Sequence, residues 1–428
     1  MYSQNRNRTV VIGGGLAGLS AAWNAARAGQ SVVVLERSPY LGGRCASFYD
    51  LPSMRWLDNC PHVFLDCCDG VREFFTQTGL IEFWKPEREF YFYPPGKPAT
   101  AAPRPFKESD RLPGMLRLAP ALRSLNYLSR TDRLRIVFDM LAIARQKTFD
   151  GSFGQWLDKR KTPASVRTLF YEPIVMSALS CSLDQPCYKM VRKVFVCSFF
   201  EGKNRWNCSL PTVPLRDLFD VKLAAALQEN GVEIRRNCTV EELEGGKNRV
   251  RAVKLSTGER ILAEKYVLAT NFSTAQTLFS PLASLADSYQ TESISCVHFW
   301  TDSPFLPTPH GVFPGRTIQW IFSGEKDDVG YYYRGVASGT NCWQERKHGF
   351  KSQVRQELAE LNPEAKILRM ETLHWTNAVY VPSVVWTTAR QRWFEQTTLP
   401  ENLDLAGDWT NLDWPSTMEA AVSSISNE

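Results

Sequence analysis

The feature that most constrains this chain lies in its first forty residues. Thr9-Val-Val-Ile12 is a short, wholly apolar strand, and Gly13-Gly-Gly-Leu-Ala-Gly18 follows at once. Leu19–Ala28 has the pattern of a helix closed by Gly29, and Ser31–Leu35 is a second apolar strand that ends in Glu36. Strand, G-x-G-x-x-G, helix, strand, acid is the fingerprint of a dinucleotide-binding βαβ unit. Gly13 permits the tight turn, Gly15 lets the backbone approach a pyrophosphate, and Gly18 lets helix and strand pack closely. Unpaired N–H groups around Leu16 and Ala17, with the positive end of the helix dipole, favour an anion. Glu36, with Arg37 beside it, is placed to accept from a ribose hydroxyl, and an acid there disfavours a 2′-phosphate. The competing reading is a glycine-rich turn in an ordinary α/β domain.

Length extends that start to two or three domains, because 428 residues exceed one ordinary core. Hydrophobic residues are 43% and charged residues 22%, a globular balance. Fifty basic against forty-five acidic residues leave +5, so nothing global argues for nucleic acid, while a weak attraction to anionic lipid stays open. No run approaches the ~18 apolar residues of a spanning helix; candidates such as Val194–Phe200 are strand-sized. The polar, basic start from Met1 to Arg8 leaves no room for a secretory signal. Eleven cysteines, none in a C-x-x-C pair or at zinc-like spacing with His, point to a reducing, cytoplasmic setting and no metal.

The fingerprint alone leaves FAD and NAD both open. Gly42-Gly43-Arg44, six residues after Glu36, suits a loop folding back over a pyrophosphate. Only one fingerprint is present, so there is no second nicotinamide domain of that kind, and no C-x4-C pair of a disulfide reductase stands beside it.

The far end of the chain answers the first. Asn402-Leu-Asp-Leu-Ala-Gly407-Asp408 is a strand running into Gly-Asp, followed by Trp409-Thr410 and Pro415-Ser-Thr417-Met418-Glu419. This resembles the C-terminal FAD motif of the flavin amine oxidase and phytoene desaturase superfamily. The resemblance implies that Asp408 holds the ribitol chain and that the helix start near Thr417 and Met418 faces the isoalloxazine. Leu215–Asn230 is read as a helix capped by Gly231, Val232–Val240 as a strand, and 250–255 with 260–268 as a hairpin around Ser256-Thr-Gly-Glu259. Tyr266-Val-Leu-Ala-Thr-Asn271 is similar to the element that returns to the FAD domain, and Val240 is then expected near the adenine. The implied fold class is α/β: a Rossmann-type FAD-binding domain from 1–85, 205–275 and 395–428, with an α+β substrate domain from 86–204 and 276–394.

Three further stretches narrow the resemblance: Leu57-Asp58-Asn-Cys-Pro-His62, Phe170-Tyr-Glu172-Pro-Ile-Val-Met-Ser-Ala-Leu179, and Ser209-Leu-Pro-Thr-Val-Pro-Leu215. With Trp409–Glu419 they look like the squalene-associated FAD-dependent desaturases, described as hydroxysqualene dehydroxylases of hopanoid synthesis. The chain departs from that pattern where Pro61 replaces a Gln, Asn411-Leu-Asp413 replaces a Thr-Gly loop, and Ala420 replaces a Gly. The closing helix is expected to be still running at Glu428.

The chemistry implied is hydride transfer from reduced flavin to the carbon that carried a hydroxyl, giving squalene. Hydroxide leaves poorly, so a general acid is needed, and the allylic cation favours a dry, aromatic-walled tunnel. His62 and Asp58, four apart, are expected to share a hydrogen bond that makes His62 the proton donor; the bland reading is a turn cap and a packed imidazole. Glu172 is a second candidate, and Asp413 could reach the flavin edge. Phe90–Pro95 and Cys296–Trp300 are wall candidates, though either could be ordinary strand core. Within Leu112–Arg145, leucines at helical spacing punctuated by Arg111, Arg117, Arg123, Arg130, Arg133 and Arg135 suit either a helical hairpin with solvated arginines or a pair of membrane-docking helices. The expected partners are a lipophilic C30 isoprenoid, an external electron donor and a peripheral membrane surface on the inner face. The competing functions are a desaturase working in the opposite hydride direction, an amine oxidase, and a prenyl-lipid-binding protein of the same fold without redox chemistry.

Overall fold

The computed structural model describes residues 7–340 and 347–425. A five-stranded parallel sheet carries the first module, in the order Leu403–Leu405, Lys265–Leu268, Arg8–Ile12, Ser31–Leu35, Glu233–Arg235. Its central strands are apolar on both faces because both faces are covered. Val11, Val32, Val34 and Val267 point into a core with Leu19, Ala22 and Trp23 of the helix Leu16–Arg27. Val10, Ile12, Val33, Leu35 and Leu268 point the other way, toward Phe272, Trp386 and the three-stranded layer Val240–Gly245, Val250–Leu255, Arg260–Ile261. The sheet therefore gathers strands from widely separated stretches of chain.

The second module is built on a five-stranded antiparallel sheet, ordered His310–Val312, Trp320–Lys326, Tyr331–Ser338, Thr291–Thr301, Ile367–Tyr380. Here the residues alternate between faces. Val297, Phe299, Ile321 and Tyr333 pack with Phe350, Val354 and Leu358 of the helix Lys347–Leu361. Cys296, His298 and Trp300 occupy the opposite face, buried against the first module's hairpin Ser47–Asp50/Arg55–Asp58. A helical lobe with its own core completes the module, including Arg130–Arg145, Glu172–Leu179 and Tyr188–Phe199.

Several sequence expectations change. The first helix begins at Leu16, immediately after Gly15, rather than at Leu19. Val194–Phe199 lies in the helix Tyr188–Phe199, where Val191, Val194, Phe195 and Phe199 recur at helical spacing on the buried side. The run Val232–Val240 is two strands, Glu233–Arg235 in the parallel sheet and Val240–Gly245 in the antiparallel layer, parted at Asn237 by a left-handed backbone. The helix 215–230 opens with a π turn, Asp217–Lys222, before regular helix over Leu223–Glu229. Of the six arginines read as a basic face, Arg117 is buried: it pairs with Glu108 and donates to the carbonyls of Phe199 and Gly202. Arg135 reaches inward to Asp139 and Thr162. No helix among the described residues is long and apolar enough to cross a membrane.

Candidate active site

The glycine loop leaves room for a ligand at one point and closes the structure at another. Gly13 has φ +110°, and a Cβ there would meet the Ala269 carbonyl oxygen at 2.5 Å. A Cβ on Gly18 would run into the Gly13 carbonyl, so Gly18 is needed for packing. A Cβ on Gly15 would meet nothing within 4 Å. Gly15 stands at the N-cap of Leu16–Arg27, so this open space lies at the positive end of a twelve-residue helix. The Gly42-Gly43-Arg44 loop returns to it: Gly42 N–H donates to the Gly14 carbonyl at 2.8 Å, and a Cβ on Gly43 would come within 3.2 Å of Gly15 Cα. The cradle thus leaves open space over Gly15 beside the helix N-terminus.

Glu36 sits at the end of the second strand, half-buried, accepting from the N–H groups of Gly14 (2.6 Å) and Ser38 (2.7 Å). Arg37 is exposed next to it. The Cys238 N–H donates to the Glu36 carbonyl at 2.9 Å, which brings the segment before the half-buried Val240 alongside.

Asp408 is buried behind Gly407, which has φ +146°. It takes Arg44 Nη2 at 2.6 Å and the Ser416 hydroxyl. Burial would raise its pKa, but the Arg44 charge and both hydrogen bonds outweigh it and hold the carboxyl below its ordinary range. Thr417 caps the helix Met418–Val422 through Ala420 N–H at 3.2 Å. Glu419 reaches back to the N–H groups of Gly70 and Val71, tying this segment to the helix Asp69–Gln77. The two chain ends thus meet through Arg44 and Asp408.

The expected Asp58–His62 pair is not formed. Asp58 is buried and occupied: Oδ1 accepts from Ser47 Oγ and Leu215 N–H, each at 2.8 Å, and Oδ2 faces Arg334 Nη1 at 3.3 Å. It clasps the first module to the antiparallel sheet. His62 turns instead to its own neighbours. Its Nδ1 lies 2.9 Å from the Cys60 carbonyl oxygen, and Cys45 lies beside the ring. Burial opposes the imidazolium, yet Cys45 and Cys60 outweigh burial and push His62 up to about 10. A half-buried, protonated imidazole therefore follows directly on the Asp58 clasp.

Beyond His62 a chain of polar groups runs into the second sheet. The Cys60 thiol bonds Cys296, whose Sγ is 3.4 Å from His298 Nε2, and His298 Nδ1 is 2.6 Å from Tyr332 Oη. The hydrogen bond to Cys296 draws the Cys60 pKa down. Burial pushes His298 down to about 3, so it is neutral. Trp375, exposed on the adjoining strand, donates to the Asn59 carbonyl at 3.2 Å. Cys45 and Arg334 were missed by sequence reasoning, while Cys60 and Cys296 lie in stretches read there for other roles. Arg334 and Cys296 reach this seam through strand register, which no local motif marks.

The remaining candidates lie elsewhere. Glu172 opens the helix Glu172–Leu179, where burial and the nearby Asp184 raise its pKa; the structure does not place it with His62. Asp413 is largely exposed and faces Lys189 at 3.6 Å. The aromatic stretches are mostly core: Phe90 stacks on Trp206 at 5.4 Å, and Trp300 packs on Tyr332 at 4.9 Å. Trp320, partly exposed, bridges to Ser177 of the helical lobe. Among the described residues no cluster has metal-binding geometry.

Comparison with known proteins agrees with this geometry. Similar curated proteins include the 15-cis-phytoene desaturase of Arabidopsis thaliana, 24% identical over 97% of this chain and 78% of the desaturase. The hydroxysqualene dehydroxylase of Rhodopseudomonas palustris is also 24% identical, over 97% of this chain and 95% of that protein. Among solved structures, an oxidoreductase from Methanosarcina mazei superposes with a TM-score of 0.73 at 16% identity, covering 97% of this chain and 98% of that one. A redesigned putrescine oxidase gives 0.70 at 14% identity, covering 97% and 96%. The family model of flavin containing amine oxidoreductases matches residues 16–424. The chain belongs to the flavin containing amine oxidoreductase family, and its cofactor is a flavin.

Proposed function

We propose that the flavin is FAD and that the protein removes a hydroxyl group reductively from a C30 isoprenoid, converting hydroxysqualene to squalene. The observation that carries this reading is the placement of His62, a half-buried imidazole fixed 2.9 Å from the Cys60 carbonyl oxygen in the segment between the Asp58 clasp and the antiparallel sheet, where Cys45 and Cys60 favour its charged form. The FAD diphosphate would lie over Gly13, Gly15 and Gly43 at the helix N-terminus, with Glu36 on the adenosine ribose and Asp408 on the ribitol. When bound and reduced, the flavin supplies the hydride.

The chain's own residues supply the rest. Replacing C–OH by C–H consumes one hydride and one proton and releases water. Hydroxide is too basic to leave unaided, so a proton donor must reach the leaving oxygen. His62 would give that proton, with Cys45 and the Cys60 carbonyl fixing the ring and favouring its charged form. Asp58 and Arg334 hold the segment in place and move no proton. A dry pocket would keep water from recapturing the cation.

A lipid substrate is supplied by a bilayer, and one helix suits that surface. Along Arg130–Arg145, Leu134, Val137, Phe138 and Leu141 recur at helical spacing on the side away from buried Ile136, Met140 and Ile143. Leu134 and Phe138 are 59% and 63% exposed, and Arg130 and Arg145 flank the stripe. We read this face as the peripheral docking surface.

Anaerobic reduction of the FAD-loaded protein, followed by hydroxysqualene, tests the function. Flavin reoxidation with stoichiometric squalene is expected. A reduced flavin that persists beside unchanged lipid overturns the reading and favours a desaturase, which the phytoene desaturases among the relatives support. A folded protein that retains no flavin would instead favour a lipid-binding role without redox chemistry.

A further inference from the structure

A reductive reaction needs electrons from outside the chain, because the single dinucleotide fingerprint is taken by the flavin. A concavity of about 460 Å³ lies where the C-terminal flavin segment meets the helical lobe. It is lined by Lys147, Lys189, Arg192 and Lys193 against Glu201 and Asp413, four cations to two carboxylates, with Trp414 in its wall.

The cations are placed in different ways. Arg192 is used structurally, donating to the carbonyls of Ile143 and Ala144 at the end of Arg130–Arg145. Lys189 holds the 411–414 loop through the Leu412 carbonyl at 3.2 Å and Asp413 at 3.6 Å. Lys193 lies over the Trp414 ring at 4.7 Å, and Lys147 is exposed. Among the described residues neither Lys147 nor Lys193 makes an ion pair, so both charges remain available to an incoming group.

The loop under these cations is continuous with the flavin segment. Asn411 accepts from the N–H groups of Asp413 and Trp414 and donates to the Ser423 carbonyl. The carbonyl of Trp414 accepts from Tyr380 Oη at 3.2 Å, and Ser416, two residues on, bonds Asp408. A partner seated on Lys147, Lys193 and Trp414 would therefore press on the segment that runs into Thr417 and Met418.

We propose that this cationic concavity is the docking surface of an acidic electron-transfer protein that reduces the flavin. The proposal rests on the reductive reading above. Two donor molecules each give up one electron, solvent supplies the protons, and the flavin gains two electrons. Charge complementarity argues for the occupant: redox encounters use small, weak interfaces guided by opposite charge rather than by apolar area.

The test uses an acidic flavodoxin as probe, with no lipid present. Binding of oxidised flavodoxin is measured by calorimetry, and flavin reduction by photoreduced flavodoxin is followed in stopped flow. Binding and rate are expected to fall about tenfold or more as salt rises from about 50 to 500 mM. The pair K147E/K193E should lose about tenfold in both at low salt, with its reduction by dithionite unchanged. K247E/K254E, an equal charge change on the three-stranded layer, should match the wild type. Equal affinity of wild type and K147E/K193E, or no flavodoxin binding at low salt, overturns the proposal. Binding of inorganic pyrophosphate without flavodoxin also overturns it and leaves a small-anion pocket. Squalene formation is read separately with dithionite-reduced protein, so failure of the dehydroxylase reading shows there and not in the binding data.

Discussion

The two five-stranded sheets of this protein serve their site in opposite ways. The parallel sheet works through backbone. Its strands are buried on both faces, and its cradle is made of Gly13, Gly15, Gly42 and Gly43 at strand and helix ends. The antiparallel sheet works through side chains that register brings together. Cys296, His298 and Arg334 come from two strands paired His298↔Arg334 and meet Asp58 and Cys60 of the other module. A backbone cradle is written in two short runs, each legible by itself. A side-chain seam is written in positions hundreds of residues apart.

The largest expected effect separates two glycines within the backbone cradle. Gly18→Val should cost about 3 kcal/mol or more, because its side chain meets the Gly13 carbonyl with no room to move. Gly15→Val should leave the fold intact, since its φ of −78° suits any residue and its Cβ meets no protein atom. It should nevertheless abolish flavin binding by filling the anion space. Thermal melts and the absorbance of the purified flavoprotein read the two outcomes. A yellow Gly15→Val protein would remove the cradle assignment.

The antiparallel sheet should reveal itself in acid. Burial holds His298 at about 3 and His310 at about 4, far below an unfolded imidazole near 6.5. The unfolded chain therefore binds more protons than the folded one across this range, so stability falls as pH drops from 6.5 toward 4. Each imidazole contributes about 1.4 kcal/mol per pH unit. His310→Phe, packed among Phe90, Trp320 and Phe322, should roughly halve the slope in urea titrations. An unchanged slope would mean that His310 is already protonated in the fold.

The helical lobe rests on one carboxylate. Asp139 is fully buried and accepts from Arg135 at 3.0 Å, Arg160 at 2.6 Å and Thr162 at 2.8 Å. Asp139→Ala should cost about 3 kcal/mol, with both partly exposed arginines turning to water. Of the lobe's buried residues, Cys197 of the helix Tyr188–Phe199 joins the parallel sheet's core and the others pack in a core of their own, so flavin affinity should persist. Loss of flavin in step with lobe unfolding, seen by fluorescence in urea, would show that the modules are coupled more tightly than their separate cores imply.

This contrast explains what could be read from the sequence. Gly13–Gly18, Glu36 and Gly407-Asp408 announce themselves because turn, helix start and acid are local requirements. The Asp58–His62 expectation failed because spacing cannot say which of several buried donors a carboxylate will meet. Ser47, Leu215 N–H and Arg334 satisfy Asp58 first. The run Val194–Phe200 misled because a short apolar run carries no period of its own; helical spacing appears only when Met190 and Val191 are included. The arginines of 112–145 looked like one basic face, but Arg117 and Arg135 were needed inside.

The smallest effect tests the sharpest difference between the regions. His298 and His310 in the antiparallel sheet are driven neutral, while His62, on the segment leaving the first module, is driven to about 10 by Cys45 and Cys60 against burial. The sign of its linkage is therefore reversed. A raised folded pKa gives stability that is fully present below the unfolded value near 6.5 and is lost as pH rises through 10. His62→Gln should thus cost on the order of 1 kcal/mol at pH 6, because the ring is only half-buried, and almost nothing above pH 10. Cys45→Ser should lower the His62 midpoint, read by NMR titration of the ring, without changing the acid slope set by His298 and His310. If His62 instead titrates near 6.5 in the wild type, the sulfurs do not hold its proton. The seam then has no imidazolium to offer at neutral pH, and the proposed dehydroxylation must find its acid elsewhere.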